Sequence, residues 1–237
     1  MNIRKTYLKA LPAVPESRDW KGDKHGVFVT LGSSNHAKEA RAEHDYYATD
    51  PAVVEQLLDM EGFAPRIWEC ACGEGHISKV LARRGYEVRS TDLIDRGFGT
   101  GGVDFLKETE PFNGDIITNP PFSMVCDFVC HALDLIPEGN RAAFLLRLNC
   151  LEGAERYLRL FSLGYLQRVY VAAKRAHCAK NGAFDTMAGS AQAYAWFIFR
   201  KGGDSREPVI RWFNIPQPRP QSAPPRPDGL VQSELPF

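Results

Sequence analysis

The chain has 237 residues and 26.5 kDa, and its 29 basic and 29 acidic side chains cancel to a formal charge of zero. At 44% hydrophobic and 24% charged residues, its composition is that of an ordinary globular chain, outside the disordered and membrane-spanning ranges. Zero net charge excludes a global basic field, so any contact with nucleic acid must come from local clusters.

Residues 1–42 read as a polar, mixed N-terminal extension with one strand-like piece at 27–31, ending at Gly32-Ser33-Ser34. The start has no sustained apolar core, and no apolar run approaches the roughly 20 residues of a membrane helix. The expectation is a cytoplasmic monomer with no membrane association. Over 43–213 apolar blocks alternate with helical patterns. A strand at 66–70 runs into Gly73-Glu74-Gly75, and a helix at 76–84 carries Ile77, Val80 and Leu81 on one face until Gly85 stops it. A strand at 87–92 ends in Asp92, and another at 115–118 runs into Asn119-Pro120-Pro121-Phe122. A helix at 124–135 follows, then strands at 141–146, 167–171 and 194–199, with a helix at 154–163 between the first two of these. Alternating strands and helices predict an α/β domain, a mostly parallel Rossmann-like sheet with helices on both faces. Ligands in such folds bind at the carboxyl ends of the strands. The tail, 214–237, has seven prolines in 24 residues and is expected to be a flexible tether.

Six cysteines, Cys70, Cys72, Cys126, Cys130, Cys150 and Cys178, form no CxxC pair and have no histidine partners at zinc spacing. They read as structural thiols, and no metal is expected.

Three segments carry chemistry. In Glu69-Cys70-Ala71-Cys72-Gly73-Glu74-Gly75 the glycines let backbone approach a ligand and the acid can accept its donors; a tight structural turn is the plain alternative. Asp92, with Leu93, follows at the end of the next strand, where an acid takes ribose hydroxyls or is simply solvated. The third, Asn119-Pro120-Pro121-Phe122, is the most telling. Two prolines make a stiff corner that lacks donors but keeps carbonyl acceptors, the Asn oxygen adds another, and Phe122 offers a ring. Converging acceptors beside a stacking face suit the exocyclic amine of a planar base.

These residues resemble the class I S-adenosylmethionine-dependent methyltransferases, and within them the amino-methylating DNA branch, most closely the N6-adenine type. NPPF looks like that branch's catalytic loop and Glu69-x-x-x-Gly73-x-Gly75 like its cofactor loop. The segment from Asp45 through Tyr47, Thr49 and Asp50 to Pro51 looks like the stretch that meets the cofactor's methionine end, with Asp50 intervening where the usual pattern is Tyr-x-Thr-Pro. The order is the gamma arrangement, as in small phage and prophage enzymes. The resemblance covers 44–201 and makes 43–213 a methyltransferase catalytic domain.

It implies S-adenosylmethionine as cofactor, held by Tyr47, Thr49, Glu69, Ala71, Gly73, Gly75, Asp92, Leu93 and Asn119, with Asp104 and Phe105 at its adenine. It further implies that Asn119, Pro120, Pro121 and Phe122 act on the amine of a flipped adenine in DNA, without a covalent intermediate. Cytosine N4, an RNA adenine, a protein glutamine amide and a decayed binding module are the alternatives; a nicotinamide oxidoreductase leaves NPPF unexplained.

Residues 156–182 hold six basic residues and no acid: Arg156, Arg159, Arg168, Lys174, Arg175 and Lys180. With Lys38 and Arg41 this run is expected to line a phosphate path; a solvated face is the alternative. Phe184 is the candidate aromatic against the target base, with plain packing as its alternative. Residues 232–237 fit Q-x-x-L-x-F through Gln232, Leu235 and Phe237, which resembles peptides that dock on the bacterial sliding clamp.

Overall fold

The structure is a computed structural model that describes residues 47–173, 178–180 and 192–213. The expectations for the N-terminal extension, the proline-rich tail and its clamp-like peptide, and the side chains of Lys38, Arg41, Lys174, Arg175, Lys180 and Phe184, lie outside the described residues.

The elements in chain order are β1 (Tyr47–Thr49), α1 (Pro51–Met60), β2 (Arg66–Glu69), α2 (His76–Arg83), β3 (Glu87–Ser90), β4 (Asp115–Thr118), α3 (Val125–Leu135), β5 (Arg141–Arg147), α4 (Ala154–Arg156), β6 (Leu166–Ala172), β7 (Cys178–Lys180), β8 (Tyr194–Arg200) and β9 (Val209–Phe213). Seven of the strands form one sheet in the order β3-β2-β4-β5-β8-β6-β9. All run in one direction except β8, which is antiparallel to both of its neighbours. β1 pairs antiparallel with β7 in a separate two-stranded sheet.

The central strands are buried at nearly every position because both faces are covered. Successive side chains point to opposite faces. Trp68, Ile116, Phe144, Phe197 and Phe199 therefore meet the α3 face of Phe128, Val129, Ala132 and Leu133. Ile67, Ile117, Leu145, Trp196 and Ile198 meet Val53, Val54 and Leu57 of α1 and Ile77, Val80 and Leu81 of α2. Full burial of one such side chain stabilises by roughly 1.5–3 kcal/mol.

Besides the β1–β7 pair, three features of the fold lie beyond the sequence expectations. The first is α1: Asp50 caps it by accepting from the Ala52 N–H at 2.9 Å, and Pro51 takes the first helical position. Second, β9 adds a strand parallel to β6 at the sheet edge. Third, the helix expected at 154–163 is one α turn followed by a π-helix, Tyr157–Phe161, in which the Ser162 N–H reaches back to the Tyr157 carbonyl at 2.8 Å. At this bulge Arg159 is held by Asp127 of α3 and by Glu155.

Parts of the basic run are thereby engaged inside the fold. Arg168 donates to both carboxylate oxygens of Glu61 at 3.1 Å, and Tyr170 donates to Glu61 at 2.8 Å, fastening the end of α1 to β6. Arg156 donates to the backbone carbonyls of Asn149 and Glu152. Of the run's described arginines, Arg159 and Arg168 thus meet carboxylates rather than an open phosphate path.

Candidate active site

β2 has β3 on one side and β4 on the other, so the chain leaves the sheet in opposite senses at their carboxyl ends and opens a crevice there. Into it the strands deliver Glu69 (end of β2), Asp92 (just past β3) and Asn119 (just past β4). One pocket at this place is lined by Tyr47, Thr49, Glu69, Ala71, Asp92, Leu93, Asp104, Phe105, Asn119 and Pro121, and also by Cys72, His76, Ile94, Met124 and Phe128. Every residue expected at the cofactor is therefore in its wall except Gly73 and Gly75, which shape the wall without forming it.

The glycine loop has both glycines in the left-handed region, Gly73 at φ 53° and Gly75 at φ 79°, where a side chain is strained. A Cβ on Gly75 would stand 2.4 Å from the Phe98 ring. The Gly73 N–H donates to Asp92 Oδ2 at 2.8 Å, and the Ile94 N–H donates to Oδ1 at 2.8 Å. Asp92 thus ties the glycine loop to the next strand end, and a carboxylate's remaining lone pairs stay available for a diol. In Gly75→Ala the ring must shift and the loop is strained: we expect about 1–2 kcal/mol lower stability and roughly tenfold weaker cofactor binding, read by chemical denaturation and calorimetry.

Glu69 is 1% exposed. Its Oε2 accepts from the Ser78 N–H at 2.7 Å and from the Ser78 hydroxyl, which also contacts Ser90 Oγ at 2.6 Å. Burial pushes its pKa up to about 8; the Ser78 bonds offset part of this and neighbouring Asp92 adds to it. The buried thiols follow the same physics: desolvation raises Cys72 to about 12 and Cys150 to about 11, which keeps them in the unreactive neutral form. Among the described residues no group of three or more His, Cys, Asp or Glu side chains could hold a metal ion.

Asn119 is held by its amide nitrogen. Nδ2 donates to the Tyr47 carbonyl at 2.9 Å and to Thr49 Oγ1 at 3.2 Å. A carbonyl can only accept, so this contact fixes which end of the amide is nitrogen. Oδ1 is then left buried with no hydrogen-bond partner, in a residue that lines the pocket. Thr49 orients this amide.

The diproline corner behaves differently at its two ends. Pro120 is buried, Pro121 borders the pocket with Asn119, and Phe122 faces a second concavity together with Asp127, Glu155 and Arg159. The Phe122 ring is not bare. Tyr47 lies at 5.4 Å and Tyr194 at 5.6 Å between centroids, and the Arg147 guanidinium sits over the ring at 4.4 Å. Phe105 is likewise packed, edge-on to Trp68 at 5.2 Å and 5.0 Å from Phe128, with only its pocket edge open. Asp104 caps the short turn Phe105–Lys107 by accepting from the Leu106 N–H. The sequence reading missed Ser78, Arg147 and Tyr194; Arg147 carried the one usable signal, its place at the carboxyl end of a parallel strand.

The sheet order and the reversed β8 are those of the Rossmann-like fold found in S-adenosylmethionine-dependent methyltransferases. Solved structures bear this out. A protein from Listeria monocytogenes described as a class I S-adenosylmethionine-dependent methyltransferase superposes with a TM-score of 0.51 at 11% identity, over 79% of this chain and 72% of its own. One from Pyrococcus horikoshii described as an RNA methyltransferase gives 0.50 at 13%, over 77% and 99%. The M protein of the type I restriction enzyme EcoKI gives 0.51 at 15%, over 80% of this chain and 52% of the M protein. At these identities the likeness establishes the fold alone. No protein-family model and no curated protein sequence matches the chain.

Proposed function

We propose that this chain binds S-adenosylmethionine in the crevice and transfers its methyl group to the exocyclic N6 amine of adenine in DNA. The observation that carries the reading is the buried, unpartnered Asn119 Oδ1, an acceptor with no donor, in the same pocket as Glu69, Asp92 and the glycine loop. A buried polar atom left without a partner is costly unless a ligand satisfies it. An amine donor from the substrate does so.

When bound, the cofactor supplies an electrophilic methyl carbon on a sulfonium. Glu69 accepts from its amino-acid portion and Asp92 from its ribose. Asn119 Oδ1 accepts one N–H of the target amine, and the carbonyl at Pro120 accepts the other. Both contacts draw the nitrogen lone pair out of conjugation and aim it along the line of displacement. With the cofactor held by Glu69 and Asp92, the amine nitrogen oriented by Asn119 Oδ1 and the Pro120 carbonyl would take the methyl in line, the C–S bonding pair would stay with sulfur, and the amine's surplus proton would pass to solvent water. Positioning and oriented dipoles supply the rate; burial holds the two thiols in the pocket wall, Cys70 and Cys72, in the neutral form. The M protein of a restriction enzyme and an RNA methyltransferase share this fold, so the DNA assignment rests on the site and not on the likeness.

The test is methyl transfer from labelled cofactor to oligonucleotides lacking either adenine or cytosine. Transfer is expected to vanish without adenine and persist without cytosine. Transfer that survives the removal of adenine moves the target to cytosine N4 or another amine and overturns the assignment. We also propose that residues 232–237 dock on a sliding clamp; clamp binding unchanged by their deletion removes that idea.

A further inference from the structure

Arg147 is the last residue of β5, opposite Tyr194 in register, on the same sheet edge where β4 delivers Asn119. It is half-buried, and its Nε is buried without a hydrogen-bond partner. Among the described residues no carboxylate pairs with it, whereas Arg66, Arg84, Arg89, Arg141, Arg159 and Arg168 each have one. It stacks on the Phe122 ring, 4.4 Å from the guanidinium centre. A guanidinium removed from water normally recovers its hydration through a bidentate anion. A ring face is a weaker substitute.

We infer that Arg147 is a specificity-determining residue that caps Phe122 in the free chain and moves onto a backbone phosphate beside the target nucleotide when a polynucleotide binds. This rests on the reading of Phe122 as the ring that meets the target base. The guanidinium covers one ring face; a base that stacks there replaces it, and the released fork needs a planar-bidentate anion close by. A phosphodiester next to a flipped nucleotide is that anion, and charge-assisted bonds to it outweigh the cation–ring contact they replace. Ring exposure and phosphate capture are thus one event. A peptide offers such an anion only where an acidic side chain lies beside the target, whereas a polynucleotide carries one at every nucleotide, so Arg147 argues for a polynucleotide over a glutamine amide.

The test uses the full chain with S-adenosylhomocysteine and adenine-containing DNA duplexes. In these, each phosphate flanking the target adenine is replaced in turn by an uncharged methylphosphonate. Wild type is expected to lose roughly tenfold in affinity at one position, a charge-assisted contact. Arg147→Met is expected to be indifferent at that position, with a salt dependence of binding lower by about one ion. Arg147→Lys, which keeps the charge without the fork, should recover part of the response and guards against a folding defect. The inference fails if Arg147→Met and Arg147→Lys both respond to the methylphosphonate series as wild type does. It also fails if the chain binds no DNA and instead methylates a glutamine peptide at a rate these substitutions leave unchanged. Wild-type chain that shows the predicted binding signature yet transfers no methyl to adenine supports the role of Arg147 and removes only the target assignment.

Discussion

In Asn119→Ala, methyl transfer falls by roughly 10²–10³-fold, the usual cost of removing one preorganised dipole from a developing charge. The substitution deletes the free acceptor Oδ1 and, with it, the Nδ2 bonds to Tyr47 and Thr49. Cofactor affinity, measured by calorimetry, should fall by about tenfold at most, because Asn119 and its partners Tyr47 and Thr49 line the pocket while the Gly73–Asp92 tie and the Glu69–Ser78 pair are untouched. Asn119→Asp separates orientation from chemistry. It keeps the shape but sets a carboxylate oxygen against the Tyr47 carbonyl, so the side chain cannot hold the native pose. It should lose as much activity as alanine. Thr49→Val removes only the second anchor of the amide and should cost about tenfold or less, the worth of one ordinary hydrogen bond. If Asn119→Ala retains transfer within about tenfold of wild type, the orphaned oxygen is not the group that engages the amine, and the magnitude expected for a transition-state dipole is absent.

The central sheet was legible in the sequence because Arg66–Glu69, Asp115–Thr118 and Arg141–Arg147 each enclose adjacent apolar residues between polar ends, and the first two run into glycine or proline turns. Elements that depend on their neighbours were not. β1 and β7 are three residues each and exist only as each other's partner. β9 falls inside the expected catalytic domain but stands between Glu207-Pro208 and a proline-rich tail, and pairing with β6 makes it a strand. Asp50 is instructive in another way. Set against a sequence pattern it is an interruption between Thr49 and Pro51, but in three dimensions it is the cap of α1. Most of the pocket was likewise within reach of sequence reasoning, since strand-end acids and left-handed glycines are local features. The surroundings of Phe122 were out of reach, because Tyr47, Arg147 and Tyr194 come from three separate elements. So was the Glu69–Ser78 pair, which arises only once α2 folds back over the end of β2.

That pair leads to an expected dependence of stability on pH. In the unfolded chain Glu69 ionises in the usual carboxylate range; in the folded, ligand-free chain burial holds it protonated up to about 8. Between these values the folded state carries the extra proton. Unfolding free energy therefore falls as pH rises through this window, is at its fullest below the unfolded value, and levels off above about 8. The span of the window sets the loss at a few kcal/mol, on the order of 1.4 kcal/mol for each pH unit crossed, as an upper bound. Glu69→Gln removes the titration, and Ser78 can still donate to the amide oxygen. The difference between wild-type and variant denaturation curves should be small near pH 5 and should favour the variant by a few kcal/mol near pH 8.5. A saturating cationic cofactor should reverse the order, because a positive group against Glu69 makes the ionised carboxylate the favoured form. The buried carboxylate that destabilises the fold at high pH is thus the group that a cation would neutralise. Parallel wild-type and Glu69→Gln profiles across this pH range would show that the carboxyl ionises normally in the fold, and with that its assignment to the cofactor's cationic end loses its physical basis.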